Sequence, residues 1–246
     1  MVKKPVRVLM LQVRQPGDDM AAHEIECVKA RLGDRPVELA VKNVFSDQLS
    51  RDLLDNASAM VIGGSGSYSV QDPRSKGFVG PLRELISRCV EEKIPGFGIC
   101  FGHQLLGLHY GADVVTDYSK RESGTVEYTL TEEGRKDPLF GAYGKAFKGH
   151  TGHSDYVKVV PEGLELLAEN SVVQTQAFKV KGAPFYSTQC HPDLTAAEAV
   201  SRYEAFAALL PEVKATLAED IAAFDTSCHD TSSLLGRFLD LCLSDA

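Results

Sequence analysis

The chain of 246 residues carries 34 acidic and 26 basic side chains, a formal charge of −8, and 43% hydrophobic residues. That balance gives no electrostatic footprint for a polyanion, so nucleic-acid binding is not expected; no stretch approaches a membrane span, so neither is membrane insertion. Six cysteines (27, 89, 100, 190, 228 and 242) stand without a Cys-x-x-Cys pair in a chain too large to need disulfide staples. This reads as a reducing, cytoplasmic compartment.

Lys3 and Lys4 precede Val6–Val13, an apolar run too short and too interrupted, by Arg7 and Gln12, for a secretory leader; it reads as a first strand. A helix is predicted over Met20–Leu32, where Ile25, Val28 and Leu32 share a face. A second strand at Val37–Val41 and a short helix at Gln48–Leu54 follow. Ala59–Ile62 is a third strand running into Gly63-Gly64-Ser65-Gly66-Ser67. This loop has no third glycine at dinucleotide-fingerprint spacing and no Gly-Lys-Ser/Thr of a P-loop, which leaves a flexible turn or a set of backbone donors. Phe78, Leu82, Leu85, Ile86 and Cys89 recur at helical spacing over Phe78–Val90, making Cys89 a core residue.

Pro95 starts an apolar run that ends at Gly98-Ile-Cys-Phe-Gly102, after which Phe101, Leu105 and Leu108 recur at helical spacing. Cys100 therefore falls on a tight strand-to-helix turn, a nucleophile elbow, whose glycines permit the sharp bend. A helix N-terminus and a neighbouring imidazolium both favour the thiolate, the nucleophilic form of cysteine. The competing reading is a buried structural cysteine, and the need for strand, turn and helix in one place argues against it.

Further on, Ala112–Val115 reads as a strand, the region from about Gly124 to Leu130 as hairpin-like, and Lys148–Asp155 as a polar loop with His150 and His153. A metal site built from these histidines with Cys190 or His191 lacks zinc-finger or zincin spacing, so no metal and no other cofactor is expected. Val157–Val160, Leu164–Ala168, Val172–Lys179 and Ala183–Thr188 are strand candidates. The last delivers His191, with Pro192 keeping the chain extended and Cys190 facing the opposite side as core filler. Thr195-Ala-Ala-Glu198 is a capping box opening a helix with Val200, Tyr203, Phe206 and Leu210 on one face. Pro211 ends that helix or begins another, with Val213, Leu217, Ile221 and Phe224 on one side; Asp225–Ser233 is a polar linker and Leu234–Leu243 a final apolar helix. Strand alternating with helix predicts an α/β fold, a doubly wound, mostly parallel sheet with flanking helices, over residues 1–195. Residues 196–246 form a helical extension that covers this domain, or binds a partner or a second copy.

Gly98-Ile-Cys-Phe-Gly-His-Gln104 resembles the nucleophile motif of class I glutamine amidotransferases, and Gln189-Cys-His-Pro-Asp193 resembles that family's segment with the catalytic histidine and acid. With the Gly63-Gly64 loop the resemblance spans about residues 6 to 194, and the elbow is most similar to the glutaminase domain of GMP synthase, in a form standing alone. It implies a flavodoxin-like sheet, with Cys100 as nucleophile, His191 as base and Asp193 as orienting acid. Similar enzymes usually have glutamate at Asp193; aspartate is one methylene shorter, so a small backbone shift is expected before it reaches His191. The resemblance also implies an oxyanion hole from the amides of Gly64 and Phe101, although similar proteins often have proline in place of Ser65. Glutamine contacts are implied for Gln104 and for His153, Ser154 and Asp155, a stretch that resembles the family's His-x-Asp-x-Val. The expected activity is hydrolysis of the glutamine side-chain amide through a γ-glutamyl thioester, releasing ammonia. A γ-glutamyl peptidase or related amide hydrolase and a catalytically idle regulatory module are the alternatives. No ATP-pyrophosphatase or other synthetase segment is read in these residues, so the acceptor is expected on a synthetase partner; a homo-oligomer is the other assembly considered.

Overall fold

The computed structural model describes residues 6–208 and 211–243. Lys3, Lys4 and Leu210 lie outside these described residues. In chain order the first elements are β1 (Val6–Val13), α1 (Met20–Leu32), β2 (Val37–Asn43), β3 (Ala59–Ser65), α2 (Lys76–Glu92), β4 (Gly96–Ile99), α3 (Phe101–His109) and β5 (Val114–Thr116). They are followed by β6 (Glu122–Leu130), α4 (Glu132–Lys136), β7 (Ala146–His153), β8 (Asp155–Val157), β9 (Leu164–Glu169), β10 (Ala177–Val180) and β11 (Phe185–Thr188). The chain closes with α5 (Ala196–Ala207), α6 (Pro211–Lys214), α7 (Leu217–Ala222) and α8 (Leu234–Leu243).

One sheet runs in the order β2-β1-β3-β4-β11-β10-β9-β6-β7, and β5 pairs with β8 apart from it. The five strands β2, β1, β3, β4 and β11 are parallel, and this is the doubly wound 2-1-3-4-5 order of a flavodoxin-like sheet. From β11 outward the pairings turn antiparallel and build a wing through β10, β9, β6 and β7.

Alternation along each parallel strand feeds two cores. Val8, Met10, Val61, Phe97 and Ile99 face α1 and α8, whereas Leu9, Leu11, Met60 and Ile62 face α2 and α3. Both faces of the central parallel strands β1, β3 and β4 are covered, which is why these strands read as mainly apolar runs. Leu234, Leu235, Phe238 and Leu239 of α8 belong to the first core, and the Phe238 ring meets Phe97 edge-on at 5.3 Å. Burial of each such side chain is worth ~1.5–3 kcal/mol over exposure, enough to dock a short helix that would not persist alone. Tyr203 of α5 and Asp220 of α7 are tied to the wing through Arg121, whose Nη1 donates to Tyr203 OH at 2.7 Å and whose Nη2 donates to Asp220 Oδ1 at 3.0 Å, and Thr125 N donates to Ala223 O at 3.0 Å.

Several expectations about the second half need correction. Lys148–Asp155 is not a polar loop: Ala146–His153 is strand β7, paired antiparallel with β6 from Glu122↔His153 to Thr129↔Ala146. The polar side chains hid it: His150, Thr151 and His153 are all buried, and His150 and His153 meet Thr125 and Glu122 of the partner strand. The strand expected at Val157–Val160 is instead β8 at Asp155–Val157; beyond it Val159 is 67% exposed. Of Val172–Lys179 only Ala177 onward is strand, since Asn170 Oδ1 accepts from the amides of Val172 and Val173 and holds a turn. Gln48–Leu54 shortens to a single 3-10 turn at Arg51–Leu54. The capping box forms as expected, Thr195 and Glu198 bonding reciprocally at the start of α5.

Candidate active site

Cys100 sits between β4 and α3 with φ 49°, a left-handed conformation costly for a side chain with a Cβ. The turn is possible because its flanking glycines leave room. A Cβ on Gly98 would lie 2.6 Å from the Gly102 carbonyl, and one on Gly102 the same distance from the Ile62 carbonyl. The Cys100 amide donates to Thr188 O at 2.9 Å, anchoring the elbow to the end of β11. Phe101 opens α3, so its amide is among those a helix leaves without an internal partner.

β11 brings the other expected residues to the same sheet edge. His191 follows it, its Nδ1 donating to Asp193 Oδ1 at 3.0 Å. Aspartate thus reaches the ring directly. Burial disfavours the charged imidazole, but the Asp193 carboxylate, its hydrogen bond and the Cys100 side chain outweigh burial and raise His191 to about 9. Asp193 is buried as well, yet Arg202 and His191 hold its carboxyl well below the usual range. Arg202 Nη1 donates to Asp193 Oδ2 at 2.8 Å.

Gly64 stands against this group. A Cβ there would come within 2.7 Å of His191 Cε1 and 3.7 Å of Cys100 Cβ, so only glycine allows the approach. The β1–β3 register shifts between Leu11 and Val13, and β3 pairs with β4 only as far as Ile62. Gly63 and Gly64 therefore bulge out of both ladders at the carboxyl ends of the parallel strands, where α/β sheets place their ligands.

Behind the sulfur runs a chain of amides. Gln189 Nε2 donates to Cys100 Sγ at 3.4 Å, and Gln104 Nε2 donates to Gln189 Oε1 at 3.3 Å and to Asp155 O at 2.9 Å. His153 is placed beside it, its Nδ1 3.0 Å from Asp155 O and its Nε2 3.1 Å from Glu122 Oε2. Glu122 also accepts from Asn170 Nδ2 and Gln176 Nε2, each at 2.6 Å. Ser154 and Asp155 turn elsewhere with their remaining groups: Ser154 O accepts from the Asp117 amide, and the Asp155 carboxylate accepts from Thr116 Oγ1 at 2.6 Å. Asp155 meets Gln104 through its backbone alone.

Of the remaining sequence candidates, His150 adjoins the site through its backbone, its carbonyl accepting from the His191 amide at 2.8 Å. His150 Nδ1 faces Thr125 Oγ1 at 3.0 Å, and burial lowers its pKa. Cys190 is buried in the core, its thiol pushed up to about 12 by desolvation. Among the described residues no group of three or more His, Cys, Asp or Glu side chains is arranged to hold a metal ion. Sequence reasoning missed Arg202, Gln189 and Glu122. Arg202 falls outside the apolar face read for its helix and Glu122 precedes the hairpin-like region read from about Gly124; only Gln189, inside the resembling motif, carried a signal.

A flavodoxin-like sheet with a cysteine elbow after β4 and a histidine after β11 defines the class I amidotransferase architecture. A glutamine amidotransferase from Thermotoga maritima superposes with a TM-score of 0.74 at 19% identity, over 97% of this chain and 98% of that one. A glutamine amidotransferase from Methylobacillus flagellatus superposes with a TM-score of 0.60 at 18% identity, over 98% and 89%. Residues 19–206 match the family Glutamine amidotransferase class-I, and the chain belongs to that family. Among its relatives, a glutamine-hydrolysing GMP synthase subunit from Methanocaldococcus jannaschii is 36% identical over 125 residues, 48% of this chain and 63% of that protein. Its counterpart from Thermococcus kodakarensis is 32% identical over 135 residues, 54% and 70% respectively. The chain thus spans a little under two thirds of the length of the first relatives it matches, 62–63%. Among the described residues no helix is long and apolar enough to cross a membrane.

Proposed function

We propose that this protein hydrolyses the side-chain amide of glutamine, with Cys100, His191 and Asp193 as nucleophile, proton carrier and orienting acid. The observation that carries the reading is the convergence of a strained cysteine elbow with the His191–Asp193 pair at adjacent strand ends, 3.0 Å separating the histidine and aspartate. The thiolate attacks the carboxamide carbon, and His191 gives its proton to the departing nitrogen. Water activated by the same histidine then releases glutamate from the thioester. Amides of Gly64 and Phe101 stabilise the oxyanion, where one donor typically contributes ~10²–10³ in turnover. Gln104 and the His153–Asp155 turn hold the glutamyl part, with Gln189 orienting the sulfur. The names of the GMP synthase relatives support a role as the ammonia-supplying chain of a two-chain synthetase.

The test is ammonia and glutamate release from glutamine by the purified protein beside Cys100→Ala. Release by wild type and silence from a folded variant is the expected result; equal release by both sinks the reading.

A further inference from the structure

Gly63 and Gly64 lead from the end of β3 to the amide that faces the oxyanion in the reading above. Two consecutive glycines leave the peptide plane between them free to rotate, and outside the strand ladders no sheet pairing restrains it. That plane contains the Gly64 N–H and the Cα atoms of both residues, so its direction is set only when both ends are held. At one end Gly64 packs on His191. At the other stands Glu24 of α1: a Cβ added to Gly63 would lie 2.8 Å from Glu24 Oε1 and 3.3 Å from its Cδ.

Glu24 is 1% exposed, a rare place for a carboxylate. Its Oε2 is anchored, because Arg14 Nε donates to it at 3.4 Å and Gln12 Nε2 at 3.1 Å, the same nitrogen reaching Ala21 O at 2.8 Å. Gln12 and Arg14 are themselves buried. Among the described residues Oε1 finds no hydrogen-bond donor. A buried carboxylate oxygen without a donor is destabilising, and the close neighbour it does have is Gly63. Glu24 also bears on the acid clamp: burial disfavours the Arg202 charge, but the Asp193 carboxylate and then that of Glu24 outweigh burial.

We propose that Glu24 is a positioning residue for glutamine hydrolysis: its anchored carboxylate holds Gly63 by contact and so sets the direction of the Gly64 amide. The proposal rests on the glutaminase reading given above. The contact is one of shape, since Oε1 meets no donor, so a carboxamide of the same size reproduces it. Aspartate keeps the charge but is one methylene shorter and withdraws from Gly63. Contact and charge therefore separate in two variants.

The experiment measures glutamine hydrolysis by wild type, Glu24→Gln, Glu24→Asp and Glu24→Ala, with Tm and the rate of Cys100 alkylation by iodoacetamide, followed by mass spectrometry. Alkylation needs the thiolate and forms no oxyanion, so it reads Cys100 and His191 independently of the bulge. In Glu24→Asp and Glu24→Ala kcat should fall ~10-fold or more with KM and alkylation little changed. Glu24→Gln should recover most of kcat despite a lower Tm, having lost the counter-charge to Arg14 and Arg202. The comparison of Gln with Asp carries the test even where Glu24→Ala does not fold. A carboxylate needed only for its charge gives the reverse order, with aspartate the better substitute. That order, a kcat unmoved in Asp and Ala, or alkylation that falls in step with kcat, overturns the proposal. Wild-type turnover without the expected losses leaves the glutaminase reading standing and this one fallen, whereas no glutamine turnover by wild type removes both.

Discussion

Arg202 of α5 donates from Nη1 to Asp193 Oδ2 at 2.8 Å, while the other carboxylate oxygen of Asp193 faces His191. A helix beyond the last sheet strand thus reaches back and clamps the acid that orients the histidine. Both partners are buried, so the pair is geometry-rich and poorly screened.

Arg202→Met should therefore lower stability by ~3–5 kcal/mol, because it leaves a buried carboxylate with one partner fewer. Asp193 has its folded pKa depressed, so its contribution is present above the unfolded value of ~3.9 and is lost as pH falls through the folded one. Without Arg202 that depression shrinks. Urea titrations should show the difference from wild type largest above pH ~5 and narrowing below pH ~4. Arg202→Lys should recover part of both stability and kcat. A pH-independent loss that lysine does not rescue would mean that Arg202 only fills space.

His191 supplies a second pH signature. Its folded pKa is raised to about 9 against an unfolded value of ~6.5, so its stabilisation is complete below ~6.5 and disappears as pH rises through about 9. The wild-type Tm should fall across that window, and His191→Gln should flatten the profile. An unchanged slope in the variant would place the titration on another group.

Gly64→Ala puts a methyl 2.7 Å from His191 Cε1. Displacement of the ring and of the amide expected to face the oxyanion should reduce kcat by ~10²-fold or more, at a stability cost of ~1–3 kcal/mol. Gly80→Ala on α2, where an added Cβ meets nothing within 4 Å, is the control and should keep full activity. Retained activity in Gly64→Ala would argue against the bulge as an oxyanion donor.

Glu122 accepts from His153, Asn170 and Gln176 in a buried site. Burial raises its pKa, but these hydrogen bonds and the His153 charge outweigh burial, leaving the carboxyl below its usual value. Glu122→Ala should cost ~1–3 kcal/mol for the donors left unpaired and raise KM for glutamine as the His153–Asp155 turn loosens. The sign is that of a depressed acid: the stabilisation exists above ~4.3 and fades as pH drops, so wild type and variant should converge in acid. A KM unmoved by the substitution would detach this network from substrate binding.

The sequence alone determined the parallel half of the sheet and the elbow. Strand and helix periods differ, both faces of those strands are apolar, and a turn as tight as Gly98–Gly102 tolerates few residue types. Motif spacing also placed His191 and Asp193 after a strand. Only the tertiary structure decided the rest. β7 carries polar side chains inward to meet Glu122, Thr125 and their neighbours, so its alternation is invisible without its partner strand. Arg202 looks like a surface charge until α5 folds it against Asp193 across nine positions of chain, and the apolar helix α8 could cover the domain or bind a partner until Phe238 meets Phe97. Local pattern encodes which face a residue wants buried; what lies on the other side of that burial is a property of the whole chain.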